Sequence, residues 1–166
     1  EVHFPESDEQ ACTARRYFAL EEFFALQLTV LWKRARYRDL AGRELGKKTG
    51  LLTQFYHSLP FDLTGAQKRS VKEIIADMRA PYPMSRMLQG DVGSGKTFVA
   101  MCAMLLAVDS GVQAALMAPT QILAEQHYLT FQKWMEPLGL RMSLRTGSRK
   151  EDTHVETDGD SQIIIG

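Results

Sequence analysis

The longest regular signal in the chain is apolar spacing near its N-terminal end. Leu20, Phe24, Leu28 and Leu31 recur three or four residues apart, and Phe23, Leu26, Val30 and Trp32 widen the apolar face. Pro5 and Ser7 suit a helix start, Asp8 and Glu9 follow, and no glycine or proline interrupts the run before Arg38. The pattern predicts one helix from Pro5 to about Arg38. At about 1.5 Å per residue this is a rod of roughly 45 Å, long for a small domain and suited to a strut between domains. Phe24, Leu28 and Leu31 are expected to pack against other protein.

After this the pattern shortens and begins to alternate. "DLAGRELGKKTG" reads as a connector, a short helix follows from Leu51 to Ser58, and Thr64 opens a helix running to about Arg79 before Pro81 and Pro83. From there strands and helices take turns. Strand "SRMLQG" leads to helix "KTFVAMCAMLLAVDSG", and strand "QAALMAP" leads to helix "TQILAEQHYLTFQKWME". Strands "LRMSLRT" and "QIIIG" complete the series. Such alternation predicts an α/β fold, a parallel sheet with flanking helices. The expected division is a helical linker over 1–58 and an α/β segment over 59–166. Residues 149–162 are polar with poor apolar spacing, which argues against a helix there.

Composition narrows the class without choosing a function. With 166 residues, 45% hydrophobic and 24% charged, the chain has the make-up of one globular domain rather than a disordered segment. Twenty basic and twenty acidic residues give a formal net charge of zero, so no global electrostatic case for nucleic acid exists, though a local basic surface remains open. Cys12 and Cys102 lie far apart with no metal-ligand spacing, which fits a reduced, cytoplasmic setting. No apolar run reaches the roughly 18 residues of a membrane span, so no membrane partner is expected. There is no initiator Met and the chain stops at "QIIIG", so it reads as a piece of a longer protein.

The chemistry concentrates in "GDVGSGKT": Gly90, Asp91, Val92, Gly93, Ser94, Gly95, Lys96 and Thr97. The spacing Gly-x-x-x-x-Gly-Lys-Thr, between a predicted strand and a predicted helix, is that of a phosphate-binding loop. Glycines let the backbone curl so that its N–H groups face phosphate oxygens, and the following helix adds its positive end. Lys96 would reach the β and γ phosphates and the Thr97 hydroxyl would ligate Mg²⁺, which makes these two the catalytic candidates. A plain glycine-rich turn is the alternative.

Upstream, "FDLTGAQ" offers Gln67, whose carboxamide can pair with both N7 and the N6 amino group of adenine but fits guanine badly. Phe61 would pack against the base. Thr64-x-x-Gln67 is also a capping-box pattern, so the residues leave both readings open. "WKRARYR" places Lys33, Arg34, Arg36 and Arg38 among Trp32 and Tyr37, and reads as the solvated end of a helix with cations at its negative pole. His127 and the methionines Met101, Met104 and Met117 read as packing residues.

Taken in order, "LPFDLTGAQKRSVKEIIADM", "PMSRMLQGDVGSGKTFVA", "ALMAPTQILAEQHY" and "TGS" closely resemble the RecG family of bacterial ATP-dependent, branch-migrating DNA helicases of superfamily two. "HFPES" and "RRYFALEEFFALQL" resemble that family's helical link between its DNA-wedge domain and its motor. The resemblance covers most of the chain. The transcription-repair coupling factor shares part of the motif set, but Ser94, "TGS" and the long helix favour the first family.

The resemblance implies the first part of a RecA-like motor lobe, using ATP and Mg²⁺, in a parent protein that remodels forks or junctions of branched DNA in repair and recombination. It implies DNA-backbone contacts at Pro119 and Thr120, and at Thr146, Gly147 and Ser148. Thr120 also suits a helix cap, and 146–148 a plain turn. In the family an acidic "DE" strand, a second motor lobe with arginines and a wedge domain complete the machine, and none of these is recognised within 1–166. Residues 149–162 are also shorter and more polar than the family's helix-bearing stretch, which weakens the DNA role of "TGS". The isolated chain is therefore expected to be a monomer that binds nucleotide without efficient hydrolysis. The other readings weighed are a non-catalytic nucleotide-binding module and a small-molecule kinase; the latter would want an arginine-rich lid, which the sequence does not offer.

Overall fold

The computed structural model describes residues 4–147, 150–152 and 161–166. The chain divides into two compact units, Glu1–Ala41 and Gly42–Gly166.

The first unit is built on one helix, α1 (Asp8–Arg38). The Ser7 hydroxyl accepts from the Gln10 N–H at 3.3 Å, so the expected cap forms. Asp8 and Glu9 sit in the first turn and Arg36 and Arg38 in the last, each matching the helix dipole. The expectation of a packed face is not met: no residue of α1 is buried, and Phe24 is 62% exposed. Among the described residues of this unit no second helix or strand is present to cover it. Phe24 and Leu26, two positions apart, project to nearly opposite sides at about 100° per residue, so the apolar residues also wrap most of the helix instead of forming one stripe.

The second unit contains α2 (Gly50–Ser58), α3 (Gly65–Met78), α4 (Lys96–Asp109), β1 (Ala114–Leu116) and α5 (Gln121–Met135). A 3₁₀ turn at Glu136–Leu138 follows, then β2 (Met142–Arg145), β3 (Lys150–Asp152) and β4 (Ile163–Ile165). The sheet order is β1-β4-β2-β3. β1, β4 and β2 run parallel, with Leu116 and Leu144 each abreast of Ile165, and β3 is antiparallel to β2. This is the expected partial RecA-like α/β fold, a parallel sheet with flanking helices.

The core lies between sheet and helices, where Phe55, Leu105, Phe131, Met142, Leu144 and Ile163 are buried. α4 is apolar around most of its girth, as a helix covered on several sides must be. It stops at Ser110 and Gly111, where Gly111 takes φ 76° and its N–H reaches the Val108 carbonyl. Within the sheet, the buried Ser143 and Ser161 hydroxyls hydrogen-bond to each other, and Gln113 Nε2 donates to the Ser161 carbonyl at 2.7 Å. Among the described residues no buried side-chain polar atom lacks a partner. No described helix is long and apolar enough to cross a membrane.

Three details differ from the sequence pattern. Residues 85–90 form no strand. A strand exists only where a neighbour completes its ladder, and this segment is instead held by a side chain, Arg86, on α3. Part of the polar stretch after "TGS" forms β3, which alternation of apolar residues did not signal; most of 149–162 lies outside the described residues. Finally, α2 belongs with the sheet rather than with α1. Its Leu51 N–H donates to Asp109 Oδ2 at 3.4 Å, and Gly46 just before it donates to Ser110 Oγ at 2.8 Å.

Candidate nucleotide site

The loop from Gly90 to Thr97 joins segment 85–90 to α4. Gly93 and Gly95 both take φ 79°, a left-handed conformation that side chains resist, and Gly95 is the N-cap of α4. A Cβ on Gly90 would stand 2.8 Å from Ser94 Oγ, and one on Gly95 would collide with Gln67 Nε2. The backbone is thus curled tightly, with glycine where the curl demands it. Lys96 and Thr97 open α4, so their N–H groups have no intrahelical acceptor behind them and point out of the helix start. Val92 is fully exposed at the tip, while Lys96 and Thr97 are half-buried.

Lys96 lies back across the loop. Its Nζ donates to the carbonyls of Gly90 and Asp91, both at 2.7 Å. The ammonium therefore bridges two successive carbonyl oxygens of the loop.

Gln67 closes the other side. It forms the full capping box with Thr64: Gln67 N–H donates to Thr64 Oγ1 at 3.2 Å, and Thr64 N–H donates to Gln67 Oε1 at 2.8 Å. Its Nε2 then reaches across to the Ser94 carbonyl at 2.9 Å. The cap and the contact with the loop coexist in one side chain.

Phe61 is 45% exposed and meets Phe98 edge-on at 5.3 Å and Trp134 at 6.3 Å between ring centroids. Phe98 and Trp134 in turn lie 5.5 Å apart. Sequence reading passed over Phe98 and Trp134; the signal was Phe98's place directly after Thr97. The aromatic group gives Phe61 a firm floor close to the start of α4.

The DNA-contact candidates gather at one end of the sheet. Ala118 N–H donates to the Gly166 carbonyl at 2.7 Å, and Gly166 packs against the Arg145 carbonyl. Pro119 and Thr120 leave β1, and Thr146 and Gly147 leave β2, beyond the carboxyl ends of parallel strands, where α/β sheets commonly bind ligands. Thr120 caps α5, its Oγ1 accepting from the Leu123 N–H at 3.3 Å. Ser148 lies outside the described residues. At the far end of α1 the Arg36 guanidinium stands 4.9 Å over the Trp32 ring. Among the described residues no cluster of His, Cys, Asp and Glu has the make-up of a metal site.

Comparison with known proteins gives the chain a lineage. A family model described as DEAD/DEAH box helicase matches residues 64–166. The chain is 48% identical, over its full length, to the ATP-dependent DNA helicase RecG of Synechocystis sp., covering 21% of that protein. It is 43% identical over 99% of its length to the protein of the same name from Bacillus subtilis, covering 25% of it. The chain thus spans about a fifth to a quarter of the curated relatives it matches. A solved structure of RecG bound to a three-way DNA junction matches 98% of this chain with a TM-score of 0.83 at 38% identity, over 23% of that chain.

Proposed function

This chain belongs to the DEAD/DEAH box helicase family, and from that premise we propose that it is the ATP-binding portion of a RecG-like DNA helicase or translocase acting on forks and junctions, in repair and recombination, in the cytoplasm. In this reading residues 59–166 are the first part of a motor lobe and α1 belongs to the helical link that precedes it.

The single observation that carries the proposal is the curled loop of Gly93 and Gly95 running into α4, with Lys96 and Gln67 on its two sides. Its amides and the helix start suit an anion, and Lys96 adds a full charge. Lys96 exchanges the carbonyls of Gly90 and Asp91 for the β and γ phosphates of ATP, a trade of neutral acceptors for charged ones. Thr97, in the first turn of α4, offers the hydroxyl that would hold Mg²⁺, whose chemistry is to neutralise charge on the phosphates. Gln67 would turn its carboxamide to adenine, with Phe61 beside the base. Pro119, Thr120, Thr146, Gly147 and Ser148 would hold DNA phosphates, which positions a strand without reading its sequence.

Calorimetric titration with ADP and GDP tests the reading. ADP should bind more tightly than GDP, and Lys96→Ala should weaken ADP. Equal affinities would remove the adenine role of Gln67; ADP binding indifferent to Lys96→Ala would remove the phosphate site.

A further inference from the structure

The phosphate loop is fastened to α3 at two points, and only one of them is Gln67. The other is Arg86, four residues before the loop. Its Nε donates to Asp77 Oδ2 at 2.6 Å and its Nη1 to Glu73 Oε2 at 2.5 Å. Glu73 and Asp77 are four apart and share one face of α3, as does the helical register that lets one guanidinium fork engage both. No ladder fixes residues 85–90, and Met87 between Arg86 and the loop is 89% exposed. The segment leading into the loop therefore takes its position from this fork and from the half-buried Leu88 packed on the core.

We propose that Arg86 is a positioning residue for the nucleotide site: by clasping Glu73 and Asp77 it sets where the phosphate loop begins relative to α3, while Gln67, from the same helix, sets where it ends. The proposal rests on the nucleotide-site reading above. The two fastenings differ in consequence. In that reading Gln67 would turn to the base, whereas Arg86, its guanidinium engaged by Glu73 and Asp77, would act through the loop backbone. Loosening Arg86 widens the range of loop positions and lowers the fraction in which the amides converge on one anion. Phosphate affinity falls, and base preference is kept.

The test uses the full chain with ADP, GDP and inorganic pyrophosphate in calorimetric titrations. Arg86→Ala should weaken ADP and pyrophosphate by the same factor, roughly three- to tenfold, the range two exposed ion pairs can transmit, and leave the ADP-to-GDP ratio unchanged. Arg86→Lys should fall between, since an ammonium keeps the charge and loses the fork. Glu73→Gln with Asp77→Asn should match Arg86→Ala, and combining all three should add nothing, because a single clasp is broken either way. Ser110→Ala is the stability control. It removes a contact to Gly46 far along α4, and should lower Tm without altering ADP affinity. ADP affinity unchanged in Arg86→Ala, with Lys96→Ala still weakening it, overturns the clasp alone. Additive losses also overturn it. A chain that binds neither ADP nor pyrophosphate overturns the site and the clasp with it.

Discussion

Gln67 Nε2 donates to the Ser94 carbonyl at 2.9 Å, so the residue that completes the cap of α3 also holds the end of the glycine loop. Two functions of one carboxamide can be separated chemically. The oxygen serves the helix cap, and the nitrogen serves the loop.

Gln67→Glu keeps an oxygen for the Thr64 N–H and replaces the nitrogen with a second acceptor facing the Ser94 carbonyl. The cap should survive, and Tm should move little. The loop contact becomes repulsive, and ADP affinity should drop by about tenfold, the cost of roughly one charged hydrogen-bond mismatch. Gln67→Ala removes both functions and should lower stability by about 1 kcal/mol as well, in line with a lost cap. Paired melting curves and titrations check this. Equal Tm losses in the two variants would show that the cap does not depend on the carboxamide oxygen.

The exposure of α1 sets a second expectation, opposite to the one its sequence suggests. Phe24→Ser should change stability by no more than about 0.5 kcal/mol, because the ring is largely in solvent. Phe131→Ala, at a fully buried site, should cost about 3–5 kcal/mol. Urea unfolding of both variants checks the contrast. A loss above about 2 kcal/mol in Phe24→Ser would mean that this part of α1 is covered in solution.

These comparisons show where the sequence was legible. Helix starts were: Ser7, Thr64 and Thr120 each cap the helix that they announce, because a cap is a local bond. The curl of the glycine loop was too, since Gly93 and Gly95 answer a local steric demand. Long-range pairing was not. Whether residues 85–90 join a ladder depends on a neighbour elsewhere in the chain, and β3 is polar and carries no alternation. Arg86 was passed over for the same reason: its partners are nine and thirteen residues away, and no spacing rule pairs a guanidinium with carboxylates on a helix before a proline-rich turn. The apolar run of α1 was counted as a face, although positions such as Phe24 and Leu26 cannot share one.

The two cysteines should behave oppositely. Cys12 is exposed, and Cys102 is buried within α4. Burial pushes the Cys102 thiol up from 9.0 to about 12, and burial together with that neighbouring thiol raises the Tyr56 hydroxyl as well. Native protein should take up one iodoacetamide, at Cys12, and a second only on unfolding. The pH dependence has a definite sign. A raised acid stays neutral in the fold while the unfolded chain ionises at its ordinary value. The stability it contributes is full below about pH 9 and is lost as pH rises through about 12. Melting temperature should therefore fall across that alkaline window, and Cys102→Ala should flatten the fall. Rapid alkylation of Cys102 in native protein at neutral pH would contradict its burial.

The isolated 166-residue chain should hold nucleotide and turn it over very slowly. Hydrolysis of ATP needs the phosphate held, the metal fixed from a second side, the water oriented and the developing charge stabilised. In the proposed site Lys96 and Thr97 would serve the first of these and one side of the second. Among the described residues nothing acidic is gathered near Thr97 into a metal-binding group, and two arginines of the second unit are engaged elsewhere. Arg86 is engaged on α3, and Arg79 Nε donates to the Gly46 carbonyl at 2.9 Å. An arginine finger alone is worth roughly 10³ to 10⁵ in rate, or about 4–7 kcal/mol of barrier. Phosphate release should accordingly stay near background, with or without forked DNA, and Lys96→Ala should change ADP affinity while leaving that background untouched. The measurement is phosphate release beside the Lys96→Ala control. Release that forked DNA accelerates and Lys96→Ala abolishes would show that residues of this chain complete the site, and would direct attention to Asp91 at the loop itself as the nearest carboxylate by sequence.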